Sequence, residues 1–305
     1  MDLPKHAYFR GEIVPYAQAT VGVATHALNY GTAVFGGIRA YWNEEKKKLF
    51  VFRPLDHFRR LLHSCRLLHM ELDFTPGSLI AILLDLLHRD GYQQDIYIRP
   101  LAYKADEVIG VRLHDLKDEF TMFALPMGPY LKNDADAHVT VSSWRRVDDN
   151  VIPARGKISG AYVNSALVKT EAVLSGFDEG LVLTQDGHLA EASAMNIFIV
   201  RDNVLITPPV TDNVLEGITR RTVIELAKNE LKLPVVERSI DRTEAYICDE
   251  LLLVGTAAQV TAVTQVDHRP VGDGRMGPVA AGLRGLFADV VRGRNPKYAE
   301  WNLPV

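Results

Sequence analysis

Apolar residues along this chain recur at two spacings, alternating or short unbroken runs for strands and every third or fourth position for helices. Tyr8-Phe9 and Glu12-Ile13-Val14 predict a small hairpin that turns at Arg10-Gly11. The run 49–52 (Leu-Phe-Val-Phe) predicts a strand, and Pro54 opens a helix where its missing N–H costs nothing. Leu55, Phe58, Leu61, Leu62, Cys65 and Leu68 mark that helix's buried stripe. Thr75 caps a second helix, which Gly91 ends. Residues 95–103 and 120–125 alternate as strands. Two prolines and a glycine in 126–132 then break the pattern.

Beyond the break the chain is richer in strand. Residues 138–144 predict one strand, and a helix starts near Tyr162 with Val163, Leu167, Val168 and Val173 as its apolar positions and Gly176 as its cap. Strands over 179–184 and 189–200 flank the turn Gln185-Asp186-Gly187. Residues 204–207 form a short strand stopped by Pro208-Pro209, and a glycine turn at 215–217 runs into a helix. Strands over 251–254 and 260–266 surround Gly255-Thr256-Ala257, and 279–291 makes a closing helix. The expected class is α/β (α+β), in two unequal domains. These are a small N-terminal domain over 1–125, a short interdomain loop over 126–133 and a large C-terminal domain over 134–305.

Composition narrows the function. At 305 residues the chain exceeds the usual size of one core, which favours two domains. Its 47% hydrophobic and 24% charged content is that of a soluble globular protein. A net charge of −4 leaves no basic footprint for nucleic acid or an anionic membrane. The two cysteines, Cys65 and Cys248, sit in no CxxC or Cys/His cluster, so no disulfide scaffold or metal is expected and a reducing cytoplasm suits the chain. The opening residues carry no apolar signal segment, and no apolar run is long enough to span a membrane.

The candidate chemistry gathers around Lys157. It lies between Gly156 and Ile158 just ahead of a helix, where small neighbours leave room for a flat ligand beside its ammonium. In a dry site such an amine becomes a nucleophile or a base; on an ordinary loop it is a surface lysine. Gly217-Ile218-Thr219 at a helix start offers free N–H groups to an anion, or merely caps the helix. Arg53 could join that anion or form a salt bridge. Glu191, among small residues at a strand edge, needs either an arginine or a protonated heteroaromatic nitrogen as its partner. An amine, an anion seat and an acidic partner are the three anchors of pyridoxal phosphate.

With those residues in view, the chain resembles the fold type IV pyridoxal-phosphate enzymes, and most of all the branched-chain amino acid aminotransferases. The likeness rests on Tyr30-Gly-Thr-Ala-Val-Phe-Gly-Gly-Ile-Arg39, Tyr97-Ile-Arg-Pro-Leu101, Gly128-Pro-Tyr130, Gly156-Lys157 with Gly160-Ala-Tyr-Val-Asn164, Glu191 with Asn196, Glu216-Gly-Ile-Thr-Arg220 and Gly255-Thr-Ala-Ala258. It covers nearly the whole chain. The resemblance implies that Lys157 bonds the cofactor, Tyr162 its phenolic oxygen and Glu191 its ring nitrogen. Arg53, Thr256 and the backbone of Ile218 and Thr219 would hold the phosphate. Tyr97, with the N–H groups of Thr256 and Ala257, would receive the substrate carboxylate. Tyr30, Phe35, Tyr130 and Ala257 would line the side-chain pocket, with Arg99 behind Tyr97.

The implied activity is ping-pong transamination between Leu, Ile or Val and 2-oxoglutarate, in a homodimer or larger assembly. Relatives on this fold that act on D-amino acids or (R)-amines, or as aminodeoxychorismate lyases, are the alternatives, and the tyrosine-rich strand at Tyr97 favours the L-branched-chain reading. Two departures from the family pattern stand out. Gly36 replaces a usual Glu, and Ala192-Ser-Ala-Met195 replaces a run richer in glycine, which would open the pocket to other donors, including primary amines.

Overall fold

The computed structural model describes residues 3–128 and 134–305. Its strands are β1 (His6–Phe9), β2 (Glu12–Pro15), β3 (Ala33–Phe35), β4 (Ile38–Asn43), β5 (Lys48–Phe52), β6 (Ile96–Lys104), β7 (Asp118–Pro126), β8 (Ala137–Arg145) and β9 (Glu179–Leu183). Then come β10 (Leu189–Ala192), β11 (Asn196–Arg201), β12 (Val204–Thr207), β13 (Val235–Glu237), β14 (Glu250–Gly255), β15 (Gln259–Val266), β16 (Arg269–Pro270) and β17 (Asn302–Pro304). The helices are α1 (His26–Tyr30), α2 (Pro54–Leu67), α3 (Pro76–Asp90), α4 (Tyr162–Leu174), α5 (Ile218–Asn229) and α6 (Pro278–Val291).

The chain divides into two compact units. Unit 1 comprises Met1–Gly128, Gly156–Ala161 and Asp289–Val305; unit 2 comprises Pro129–Arg155 and Tyr162–Ala288. In unit 1 an antiparallel sheet runs β17-β5-β4-β6-β7-β1-β2, with β3 also paired to β6. Helices α2 and α3 pack on each other, and α3 lies on β1 and β7. Phe58, Leu61, Leu79, Leu83, Ile96 and Met122 form part of this buried interior. The caps on α3 are as the sequence predicts. Thr75 and Ser78 form a capping box, and Gly91 closes the helix in the left-handed conformation.

In unit 2 the strands run β10-β9-β8-β15-β14-β11-β12-β13, and an added β10–β11 pairing closes six of them into a ring. The side chains of β9 and of Leu251–Val254 are buried throughout, as expected of strands covered on both faces. Helix α4 covers β8 and β9, and α5 covers β14.

Three expectations from the pattern are corrected. Leu55 is 40% exposed, because the first turn of α2 turns it outward while Phe58, Leu61 and Cys65 face the core. On α4 the buried residues are Ser165, Val168 and Ala172, and Val163, Leu167 and Val173 face solvent. The helix lies so close to β9 that a Cβ on Gly180 would sit 2.7 Å from Val168 Cγ1, which favours small residues on its inner face. The span 189–200 is two strands, because Ser193, Ala194 and Met195 turn β10 back onto β11.

Candidate active site

Main-chain bonds hold the Lys157 segment in unit 1. Phe35 N–H donates to Lys157 O at 3.0 Å and Gly160 N–H to Gly31 O at 3.1 Å. An isolated bridge joins Val34 to Ile158. Lys157 N–H in turn donates to the buried Ser64 hydroxyl on α2 at 3.2 Å. Glycine is required where these strips meet. Gly31 has φ +68°, and a Cβ on it would come within 2.8 Å of Gly160 Cα. The backbone is thus fixed, and the half-buried Lys157 side chain extends until Nζ lies 5.0 Å from the Phe35 ring centre.

Phe35 also carries Arg99, whose guanidinium carbon is 4.4 Å from the ring centre. Arg99 Nη2 donates to Tyr97 Oη at 3.0 Å. Arg99 Nε is buried with no hydrogen-bond partner, and no carboxylate pairs with this guanidinium among the described residues. Gly37 makes room for the tyrosine, since a Cβ there would overlap Tyr97 Oη. Tyr30 is tied to the loop between β6 and β7, accepting from Gly110 N–H at 3.1 Å, and it packs on His26. Arg53 is buried in the left-handed conformation. Its Nε donates to Asp56 at 2.8 Å, and its guanidinium lies 4.4 Å from the Trp301 ring centre.

In unit 2, side chains do the holding. Glu191 is 5% exposed. Its Oε1 lies 3.1 Å from Arg146 Nη2, and Oε2 accepts from Leu215 N–H at 3.1 Å and Asn196 Nδ2 at 3.4 Å. Glu191 pairs with Asn196, and Asn196 with Val254, so carboxylate and amide lie in register beside the end of β14. The three-residue turn Thr256-Ala257-Ala258 follows there, ahead of β15. At the head of α5, Gly217 has no side-chain cap, and the first ladder bond runs from Arg221 N–H to Gly217 O. The N–H groups of Ile218 and Thr219 therefore lie outside the ladder, at the positive end of the helix. A Cβ on Gly217 would overlap Asn196 Oδ1, so glycine lets the turn close on that amide. Tyr162 is the first residue of α4 and half-buried. Tyr130 lies outside the described residues.

This donor set fits the phosphate and the ring nitrogen of pyridoxal phosphate. Helix-start N–H groups suit a phosphate ester, and each Glu191 oxygen keeps acceptor capacity beyond the bonds above. Both partners the sequence offers Glu191 remain compatible, since Arg146 takes one oxygen without saturating it. Sequence reasoning missed Arg146, and it missed Ser64 together with Arg60, whose carbonyl accepts from the Ser64 hydroxyl at 2.9 Å. The signal for the α2 pair is a polar Arg60/Ser64 spacing of four inside an apolar stripe, which puts both on one helix face. For Arg146 nothing local distinguishes it from its neighbour Arg145. Among the described residues no cluster could hold a metal ion, and no helix is long and apolar enough to cross a membrane.

The family model for class IV aminotransferases matches residues 33–266. A protein of Aquifex aeolicus named "Probable branched-chain-amino-acid aminotransferase" is 44% identical over 98% of this chain and 96% of its own length. The branched-chain aminotransferase of Thermoproteus uzoniensis, solved with norvaline, superposes with a TM-score of 0.94 at 38% identity, covering 99% of each chain. That of Thermobaculum terrenum, solved in its PLP-form, also gives a TM-score of 0.94 at 38% identity, over 99% of this chain and 98% of its own.

Proposed function

The chain belongs to the class IV aminotransferases, and from that premise we propose which residues carry its reaction. It is a pyridoxal-phosphate-dependent aminotransferase that moves the amino group of branched-chain amino acids to a 2-oxo acid. When bound, the cofactor supplies a carbonyl that takes up the amino group and a protonated ring that draws electrons from the substrate's Cα.

Lys157 would bond the cofactor, and its Nζ, once the substrate amine takes that place, would be the base that removes the Cα proton and holds it for return. Glu191 keeps the ring nitrogen protonated. The N–H groups of Ile218 and Thr219, with Thr256, would hold the phosphate, Tyr162 would meet the phenolic oxygen, and by the resemblance an arginine would add its charge to that phosphate. Arg53 is already engaged by Asp56 and Trp301, which favours Arg60, one turn before the Ser64 that touches Lys157. By the resemblance, Tyr97 and the N–H groups of Thr256 and Ala257 would receive the α-carboxylate, and Tyr30, Phe35 and Ala257 would line the side-chain pocket.

The observation that carries the reading is the Glu191 carboxylate, buried and fixed on both oxygens in the same unit as the bare start of α5. Arg99 adds the acceptor. A guanidinium with a buried, unbonded Nε and no carboxylate partner among the described residues favours 2-oxoglutarate, whose second carboxylate would pair with it. The domain division at 126–133 remains our proposal. A homodimer or larger assembly is supported by the solvent-facing Val163, Leu167 and Val173 of α4. A cytoplasmic location is supported by two free, buried cysteines.

Half-reactions test the donor. The cofactor-loaded protein mixed with L-leucine alone should yield pyridoxamine phosphate and one equivalent of 4-methyl-2-oxopentanoate, faster than with D-alanine or (R)-1-phenylethylamine. A faster reaction with either of those, or pyruvate released from aminodeoxychorismate with no pyridoxamine phosphate formed, overturns the reading.

A further inference from the structure

The donors around Glu191 lead along the chain to the start of α5. Arg146, just beyond β8, is 9% exposed and uses two nitrogens of its guanidinium. Nη2 meets Glu191 Oε1 at 3.1 Å, and Nε donates to Asn213 O at 2.8 Å. Asn213 sits at φ +59° and is itself anchored. Its Nδ2 donates to Asp148 Oδ1 at 2.7 Å, and its Oδ1 accepts from Asp149 N–H at 3.3 Å. Two residues later Leu215 N–H donates to Glu191 Oε2 at 3.1 Å, and Leu215 O accepts from Asn196 Nδ2 at 3.0 Å. The turn 213–215 is thus gripped at one end by Arg146 and at the other by Glu191 and Asn196. It runs straight into Gly217 and α5.

We propose that Arg146 is a positioning residue that aims the Glu191 carboxylate and, through Asn213, sets the start of α5. The partner of the ring nitrogen and the seat of the phosphate are then fixed as one piece. The proposal rests on the cofactor reading above. Its physical basis is the planar fork of arginine, whose donors point in fixed directions, so bonding two acceptors at once fixes their separation. Lysine in the same place keeps the charge and loses the fork. Arg146 itself touches neither substrate nor cofactor in this account. It acts through the carboxylate and the turn.

The test uses the cofactor-loaded protein with Arg146→Gln and Arg146→Lys, and Glu191→Gln as a control. Measured are the 15N shift of ring-labelled cofactor, the isotope effect with Cα-deuterated leucine, the affinity of the apoprotein for pyridoxamine phosphate, and the melting temperature. Arg146→Gln should move the ring 15N signal toward the unprotonated position. It should raise the isotope effect and lower kcat by about 10- to 100-fold, the loss of a close charged contact to a buried carboxylate. Arg146→Lys should recover most of the ring signal but keep weakened pyridoxamine phosphate binding, because charge returns and the Asn213 bond does not. If both variants keep the wild-type 15N signal, isotope effect and binding while only the melting temperature falls, Arg146 is a structural counter-ion and the proposal is wrong. Should Arg146→Gln fail to fold, Arg146→Lys decides alone, since wild-type pyridoxamine phosphate binding in it contradicts the proposal. An unchanged ring signal in Glu191→Gln would instead overturn the role of Glu191, a separable failure.

Discussion

Lys157 and Glu191 are held by opposite means. The lysine is fixed by its backbone, through Phe35, Ser64 and the Gly31–Gly160 contact, while its side chain reaches out over Phe35. The glutamate is fixed at its tip, by Arg146, Leu215 N–H and Asn196. The difference follows from what each must do. In the proposed reaction the lysine bonds one atom and then carries a proton between two others, which suits a fixed backbone and a side chain that can turn. A group that stabilises charge is most useful when it does not move, because it then costs no reorganisation during the reaction.

The largest effect should come from removing the moving end. Lys157→Ala should stop turnover, by at least about 10²–10⁴-fold as for lost general acid–base catalysis. Pyridoxamine phosphate should still bind, because the phosphate and ring contacts lie with other residues; calorimetry on the apoprotein checks this. Next comes Glu191→Gln, which keeps shape and a hydrogen bond and removes the charge. We expect near-normal cofactor occupancy, a loss in kcat of about 10²-fold and a primary isotope effect from Cα-deuterated leucine. Wild-type turnover in that variant would reduce Glu191 to a structural carboxylate, and the contrast drawn above would dissolve.

Smaller effects sharpen the comparison. Arg60→Ala should weaken pyridoxamine phosphate binding about tenfold, whereas Arg53→Ala should lower the melting temperature and leave that affinity nearly unchanged. The reverse pattern would return the phosphate contact to Arg53. Gly37→Ala forces a methyl against Tyr97 Oη and should cost about 1–3 kcal/mol of stability. In steady-state kinetics its KM for leucine should rise more than its kcat falls.

The smallest effect concerns tip-held carboxylates in general. Hydrogen bonds from Arg238, and then Arg201, hold the Glu244 carboxyl down at about 2. A folded value below the unfolded one means stability that is present above the ordinary carboxylate range and lost as the pH falls toward about 2. Melting curves of Glu244→Gln should therefore trail the wild type at neutral pH and converge with it near pH 2. A gap that persists there would show that the glutamine disturbs packing instead.

Local chemistry carried most of what the sequence revealed. The hairpin at Arg10-Gly11, the caps of α3 and the glycine turn before α5 depend on neighbouring residues, and each stands where the pattern puts it. The candidate residues Lys157, Glu191, Ile218 and Thr219 were legible because small residues and glycines surround them. Long-range pairing was not legible. Nothing near Lys157 says that Gly156–Ala161 packs with unit 1 while the chain on either side belongs to unit 2, or that β17 returns to β5. The turn at Ser193–Met195 has no glycine or proline, and its flanking strands are buried on both faces, so no alternation marks the break. On α4 the apolar residues suggested the inner face, but close approach to Gly180 placed small residues there instead.

The central claim, that Lys157 is the reactive amine, has one direct measurement. The purified, cofactor-loaded protein is treated with borohydride, digested, and its cofactor-bearing peptide sequenced by mass spectrometry. The account predicts a single phosphopyridoxyl modification, on Lys157, and its loss when L-leucine is added before the reductant. A modification on another lysine, or a protein that takes up no pyridoxal phosphate, would contradict it.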